Sequence, residues 1–368
     1  MKAKRLLCIL LGMLIFILCF AFVGCGEEKP LSGDTGKEET PGSPPGDGTD
    51  TPEGPAYTLS EPVQIVRDPH FEQGFGVKGQ QDGIGTVFGT LGYDDTTTYS
   101  PVWTLAQWYC GYYYKQGDQW PSEYNILNAE RMQNGDLYIW QDASKTLRVN
   151  PTEGSLYMRL EGTQEYTAPK TQSGPWPHLL LEYRVERKYV RDLASLTLKM
   201  DYTLNTFKGD MGSDTNADIH CAQFPFYLVV SNVNQESEDY GAYIWFGASL
   251  YDNRYDYTLL YASADIGSED KLATNAFIYK PSSKEYMSAP VEEGTPNVIE
   301  WDMLPYIADA FESAQQNGYL PNTKYEDLAV TSGNFGWEIT GTYDAAMKID
   351  EFEIWAVEKI YEGEQENA

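Results

Sequence analysis

Leu179-Leu180-Leu181-Glu182-Tyr183-Arg184-Val185-Glu186 is the stretch that decides the fold. Its odd positions hold Leu, Leu, Tyr and Val, while the even positions run from His178 through Leu180 to Glu182, Arg184 and Glu186. Side chains two apart share a face of an extended chain, so one apolar and one polar file predict a half-buried strand. The same period marks Ser155–Glu161, with Leu156, Met158 and Leu160 against Tyr157, Arg159 and Glu161. In 195–204 it sets Leu196, Leu198, Met200, Tyr202 and Leu204 against Ser195, Thr197, Lys199, Asp201 and Thr203. Further strand-like runs lie at 224–231, 242–250, 257–262, 335–341 and 346–357, separated by Asp, Asn, Gly and Pro clusters that suit turns.

One segment breaks the pattern. Between Trp301 and Asn317, Leu304, Ile307, Ala308 and Phe311 recur at three- and four-residue spacing, which predicts one amphipathic helix ending before Gly318. Gly74-Phe-Gly-Val-Lys-Gly79 opens no helix, so it reads as a turn rather than a phosphate loop. No nucleophile elbow is present. Residues 57–362 show no internal repeat and no second linker, and many strands with one helix predict a single all-β domain. Its expected architecture is two antiparallel sheets packed as a sandwich or jelly roll.

What precedes this head is of another kind. Lys2, Lys4 and Arg5 lead into an apolar run that stops at Gly24-Cys25, the layout of a secretory signal over residues 1–24. An uncleaved membrane helix is the alternative, but Gly26, Glu27 and Glu28 follow where a basic stop-transfer cluster would stand. The cysteine at the cut resembles the lipobox of bacterial lipoproteins. That resemblance implies a lipid on Cys25 and an extracytoplasmic head anchored to the cell membrane. Residues 26–56 are Gly, Pro, Thr, Ser and acids, with Leu31 as the one sizeable apolar side chain. Such a segment cannot offset its ordering entropy by burial, so it is expected to be a disordered leash, with 363–368 as a short tail.

The chain of 368 residues carries 55 acids against 26 Lys and Arg, a formal charge of −29. That field excludes nucleic acid and electrostatic adhesion to anionic lipid as partners, and leaves neutral or cationic ones. Of the five cysteines, Cys110 and Cys221 fall in the head, where an extracytoplasmic setting permits a bridge and burial equally suits two thiols.

Aromatic content carries the functional reading. There are 28 Tyr and 9 Trp against 14 Phe, so most rings have a polar tip or a flat face to offer as well as a body to bury. Tyr240–Arg254 gathers Tyr243 and Trp245 on one file with Asp252, Asn253 and Arg254 in the exit turn. Flat rings stack on sugar faces while acids, amides and guanidinium groups read hydroxyls, so this is the composition of a glycan platform. Packing of the same two rings inside the head is the competing outcome. A surface-tethered, acidic, aromatic-rich sandwich is similar to the concanavalin-like jelly-roll proteins that bind or cleave polysaccharides. The likeness implies polysaccharide or oligosaccharide as the partner.

Within that likeness, Glu182 resembles the nucleophile strand of jelly-roll xylanases, and Glu338 in Asn-Phe-Gly-Trp-Glu-Ile-Thr-Gly, with Trp337 beside it as an expected ligand contact, resembles their acid/base strand. Retaining hydrolysis needs two such carboxyl groups about 5 Å apart. A Glu paired with Arg184 on the polar side of a strand is the plainer account. His178, Glu182 and Arg184 with Tyr157 and Arg159 also suit the Arg and His/Tyr chemistry of jelly-roll polysaccharide lyases. A structural or adhesive protein without a sugar site is the third class. No cofactor is expected. Asp214, Asn216 and Asp218 place oxygen ligands at alternate positions, as a structural calcium would require, but lack the glycine and closing glutamate of an EF-hand; an acidic turn explains them as well.

Overall fold

The structure, a computed structural model, describes residues 56–80, 86–170, 174–209, 211–212, 215–266 and 273–361. The signal, Cys25, nearly all of the leash and the tail lie outside the described residues. Among the described residues no helix is long and apolar enough to cross a membrane.

The strands are β1 Tyr57–Leu59, β2 Val63–Gln64, β3 Phe75–Lys78, β4 Val87–Leu91, β5 Trp103–Ala106, β6 Met132–Asn134, β7 Leu137–Gln141, β8 Lys145–Asn150 and β9 Ser155–Glu161. They continue as β10 His178–Tyr189, β11 Leu193–Gly209, β12 Ala222–Asn232, β13 Tyr243–Asp252, β14 Tyr261–Ala264, β15 Phe277–Lys280, β16 Pro296–Asp302, β17 Leu328–Ile339 and β18 Tyr343–Tyr361. Sheet I runs β16-β11-β18-β9-β8-β7-β6, with β1 and β2 also on β18; sheet II runs β14-β15-β13-β12-β17-β10-β5-β3-β4. Pairing is antiparallel except β3 with β5 and β13 with β15. Nearly all-antiparallel pairing in two stacked sheets is the sandwich that the period-two pattern predicts.

Rings join the layers. Phe352 of sheet I stands 4.9, 5.1, 5.9 and 6.1 Å from the rings of Phe335, Tyr183, Trp103 and Phe226 in sheet II. Trp337 Nε1 of sheet II donates to Met158 O of sheet I at 3.0 Å, and Tyr202 Oη of sheet I to Leu250 O of sheet II at 3.0 Å. These two buried polar tips thus find acceptors across the layer, which avoids the cost of leaving them unpaired.

Several expectations are corrected. Phe75–Lys78 is a strand, because Phe75 and Val77 drop into the core between its glycines. Residues 257–260 are irregular and the strand begins at Tyr261. The helix, α2 Leu304–Gln316, follows the four-residue α1 Gly162–Glu165; it buries Ile307, Ala310, Phe311 and Ala314, while Ala308 faces outward. Asp302, the residue before its N-cap Met303, accepts Leu304 N–H through Oδ1 at 3.1 Å. Cys110 and Cys221 are separate buried thiols, and burial pushes Cys221 up to about 11.

Phe352→Ala would empty the centre of the ring cluster and cost about 3–5 kcal/mol of stability, read by denaturant unfolding. A loss below about 1 kcal/mol would mean the sheets are not joined there.

Candidate functional site

Because Leu179, Leu181 and Tyr183 of β10, Phe335 and Trp337 of β17, and Phe224, Phe226 and Leu228 of β12 point into the core, their neighbours form the opposite face of sheet II. Register aligns those neighbours in rows across the strands. One row is His178, Glu338, Gln223 and Asp252; another is Thr104, Glu182, Asn334, Tyr227 and Gly247.

In the first row Gln223 Nε2 donates to Glu338 Oε2 at 2.8 Å, and His178 Nε2 lies 3.8 Å from the same oxygen. Trp176 stacks on His178 at 5.5 Å, with the Trp108 and Tyr109 rings at 5.9 and 6.2 Å. The loop that carries Trp108 and Tyr109 is pinned from beneath. Glu165, wholly buried, accepts Gly111 N–H at 2.6 Å and the Ser144 hydroxyl, while buried Lys145 ion-pairs with Asp142 at 2.7 Å and donates to Tyr124 O at 2.8 Å. Burial raises the Glu165 carboxyl above its ordinary range, against the pull of Lys145.

In the second row the Tyr227 ring crosses Gly247, where a Cβ would stand 2.5 Å from the ring. Tyr227 meets Trp245 edge to face at 5.7 Å, and Trp245 meets Tyr243 in the same way at 5.4 Å. Both are half-buried on the outer face, and Trp245 Nε1 donates to Thr274 Oγ1 at 3.0 Å. Burial holds the Tyr227 hydroxyl well above the ordinary tyrosine range, with Glu338 nearby adding to it. Lys280, on the same side of β15, reaches over the Tyr227 ring at 5.8 Å.

The expected residues divide as follows. Tyr243, Trp245, Glu338, His178 and Asp252 share the outer face. Arg254 grips Asp252 through two hydrogen bonds of 2.8 and 2.6 Å, so each occupies the other. Beside them a cavity of about 230 Å³ opens between Ser249, Asp252, Arg254, Tyr255 and Ser283. Trp337 is wholly buried on the core face and is no ligand contact. Glu182 and Glu338 are not brought together: four residues of register separate them, about 13 Å of strand, and Glu182 turns toward β3 to meet Lys78 Nζ at 2.6 Å. Arg184 is exposed two positions beyond Glu182. Tyr157 and Arg159 belong to sheet I, so they cannot act with His178. Asn216 Oδ1 accepts Asp218 N–H at 3.0 Å as a turn; Asp214 lies outside the described residues. Among the described residues no cluster of three or more His, Cys, Asp or Glu could hold a metal ion.

Tyr227, Gln223, Lys280 and the ring wall of Trp176 and Trp108 were not singled out from the sequence. Tyr227 was legible as the outward partner of Phe226 and Leu228. Gln223 and Lys280 acquire meaning only when register sets them beside Glu338 and Tyr227.

No protein-family model matches the chain, and no curated protein matches it. Among solved structures, the family 12 xyloglucanase from Bacillus licheniformis is similar at TM-score 0.38 and 11% identity, covering 62% of this chain and 97% of that one. Endoglucanase cel12A from Rhodothermus marinus follows at 0.34 and 12%, covering 63% and 97%. The xyloglucanase domain of NopAA, a type three effector from Sinorhizobium fredii in complex with cellobiose, gives 0.31 and 8%, covering 62% and 96%. These are likenesses of fold.

Burial raises the Glu182 carboxyl above its ordinary value, and Lys78 opposes that rise. Lys78→Met removes the opposing charge, so the Glu182 carboxyl should titrate higher still in a carbon-detected NMR titration; a downward move would contradict the pairing.

Proposed function

We propose that the outer face of sheet II binds polysaccharide. The observation that carries this reading is the half-buried Tyr243–Trp245–Tyr227 wall standing beside the Glu338–Gln223–His178 row. Rings on an outward sheet face offer flat apolar area, and the adjoining amide, carboxylate and imidazole offer donors and acceptors at sugar-hydroxyl spacing. Binding is favoured over retaining hydrolysis by the Glu182/Glu338 pair. Those carboxyl groups are separated by four residues of register, where that mechanism needs about 5–5.5 Å.

The head would work outside the cytoplasmic membrane, held by a lipid on Cys25 through the acidic leash. Cys25→Ser should then abolish incorporation of labelled fatty acid and release the chain from the membrane fraction. Label retained by the variant would contradict the anchor.

For the face itself, the detergent-solubilised chain is applied to a glycan array and its hits are titrated. Trp245→Ala should weaken binding at least about thirtyfold, the ~2 kcal/mol of a central aromatic contact, with the melting temperature nearly unchanged. No reducing ends should be released from a bound polymer. Unaltered affinity in Trp245→Ala would overturn the platform, and release of reducing ends abolished by Glu338→Gln would make the site catalytic.

A further inference from the structure

Lys280 differs from the ion-paired lysines of the sandwich. Lys78, Lys145, Lys188 and Lys199 each have a carboxylate oxygen at 2.6, 2.7, 2.9 and 3.5 Å. Lys280 has none within 4 Å among the described residues; its ammonium lies between the rings of Tyr227 at 5.8 Å and Tyr261 at 5.4 Å. The half-buried Lys280 extends from β15 on the side opposite the core residues Phe277 and Tyr279, and so onto the face with Trp245.

The charge around it is also unlike that of the whole chain. Asp252 is taken up by both arms of Arg254, and Glu182 by Lys78. Exposed Arg184 adds a further cation to the file of Glu182. Glu338 is engaged by Gln223 and His178. Asp265 accepts from Thr274 beside Trp245, so Asp252, Glu182, Glu338 and Asp265 stand against Lys78, Arg184, Arg254 and Lys280 here, an even balance in a protein with 55 acids and 26 Lys and Arg.

Resting on the carbohydrate reading, we propose that the face selects a glycan carrying an anionic group, a uronate carboxylate or a sulfate ester, and that Lys280 receives that group. The ammonium has lost water to the surrounding rings without gaining a counter-ion, and burial pulls its proton affinity below the usual lysine range although Glu338 and Asp252 oppose this. An incoming oxyanion restores both the charge partner and the hydrogen bonds. The sugar body would stack on Trp245 and Tyr243. Exclusion of anionic partners, expected from the net charge, therefore does not extend to this face.

The test titrates the solubilised full chain with polygalacturonate and its methyl ester, and with a sulfated galactan and its desulfated form. One anionic polymer should bind at least about tenfold tighter than its neutral form, and that polymer identifies the source of the charge. Added salt should weaken this binding alone. Lys280→Met should remove the preference, so that charged and neutral forms bind alike, and Lys280→Arg should restore it. The salt series on the unaltered protein decides the matter should Lys280→Met fail to fold. Equal affinity for charged and neutral forms, or binding confined to neutral polymers, overturns the role of Lys280 and leaves the carbohydrate reading standing. Failure to bind any polysaccharide overturns both.

Discussion

The structure depends on the ring-to-ring closure of the two sheets. Phe352 projects from sheet I into a ring of Trp103, Tyr183, Phe226 and Phe335 from sheet II, and the tips of Trp337 and Tyr202 reach backbone carbonyls of the opposite layer. Aromatic pairs in offset and edge-to-face contact add to the area they bury. The closure also fixes register, since a slip of one residue would drive Glu338 inward and Trp337 outward. The functional face is thus a by-product of the core: once Leu179, Leu181 and Tyr183 are committed inward, His178, Glu182 and Arg184 have nowhere else to go.

Commitment of so many rings to the core does not exhaust them. Tyr227, Tyr243 and Trp245 occupy alternate positions on two adjacent strands, each next to a core residue, and Gly247 leaves the space in which the Tyr227 ring lies. A side chain at Gly247 would lift that ring from the sheet and with it the surface on which Lys280 rests. The wall, the lysine and the acidic row are therefore one packing arrangement. The buried ions under the neighbouring loop serve the same end from below. Taking Lys145, Asp142 and Glu165 out of water is costly unless every partner is in place, so the loop bearing Trp108 and Tyr109 is held in one geometry beside His178.

Long strands were legible in the sequence because their period runs through many residues: β9 matches its expected limits, β10, β12, β13 and β18 were placed within a few residues, and β11 and β17 were found but run five residues further and start seven residues earlier than expected. The short strands from β1 to β7 were not, since two to five residues carry too little alternation to separate a strand from a turn. Trp337 shows a second limit. It stands beside Glu338, and adjacency in sequence suggested a shared site, yet in a strand adjacency means opposite faces. The Glu182/Glu338 pair shows a third. Each residue lies on an outward file, but distance along the strands depends on register, and register follows from packing between sheets rather than from either strand alone.

The first and last described strands meet on one layer. Tyr57 pairs with Tyr361 where β1 joins β18, so both strands belong to sheet I. The ring wall and Lys280 belong to sheet II. A polymer lying along that outer face contacts neither of those strands, so β1 and β18 need not part for it to bind. The division of labour between the layers follows from topology: sheet I takes in the first and last described strands, β1 and β18, and sheet II carries the ring wall on its outer face.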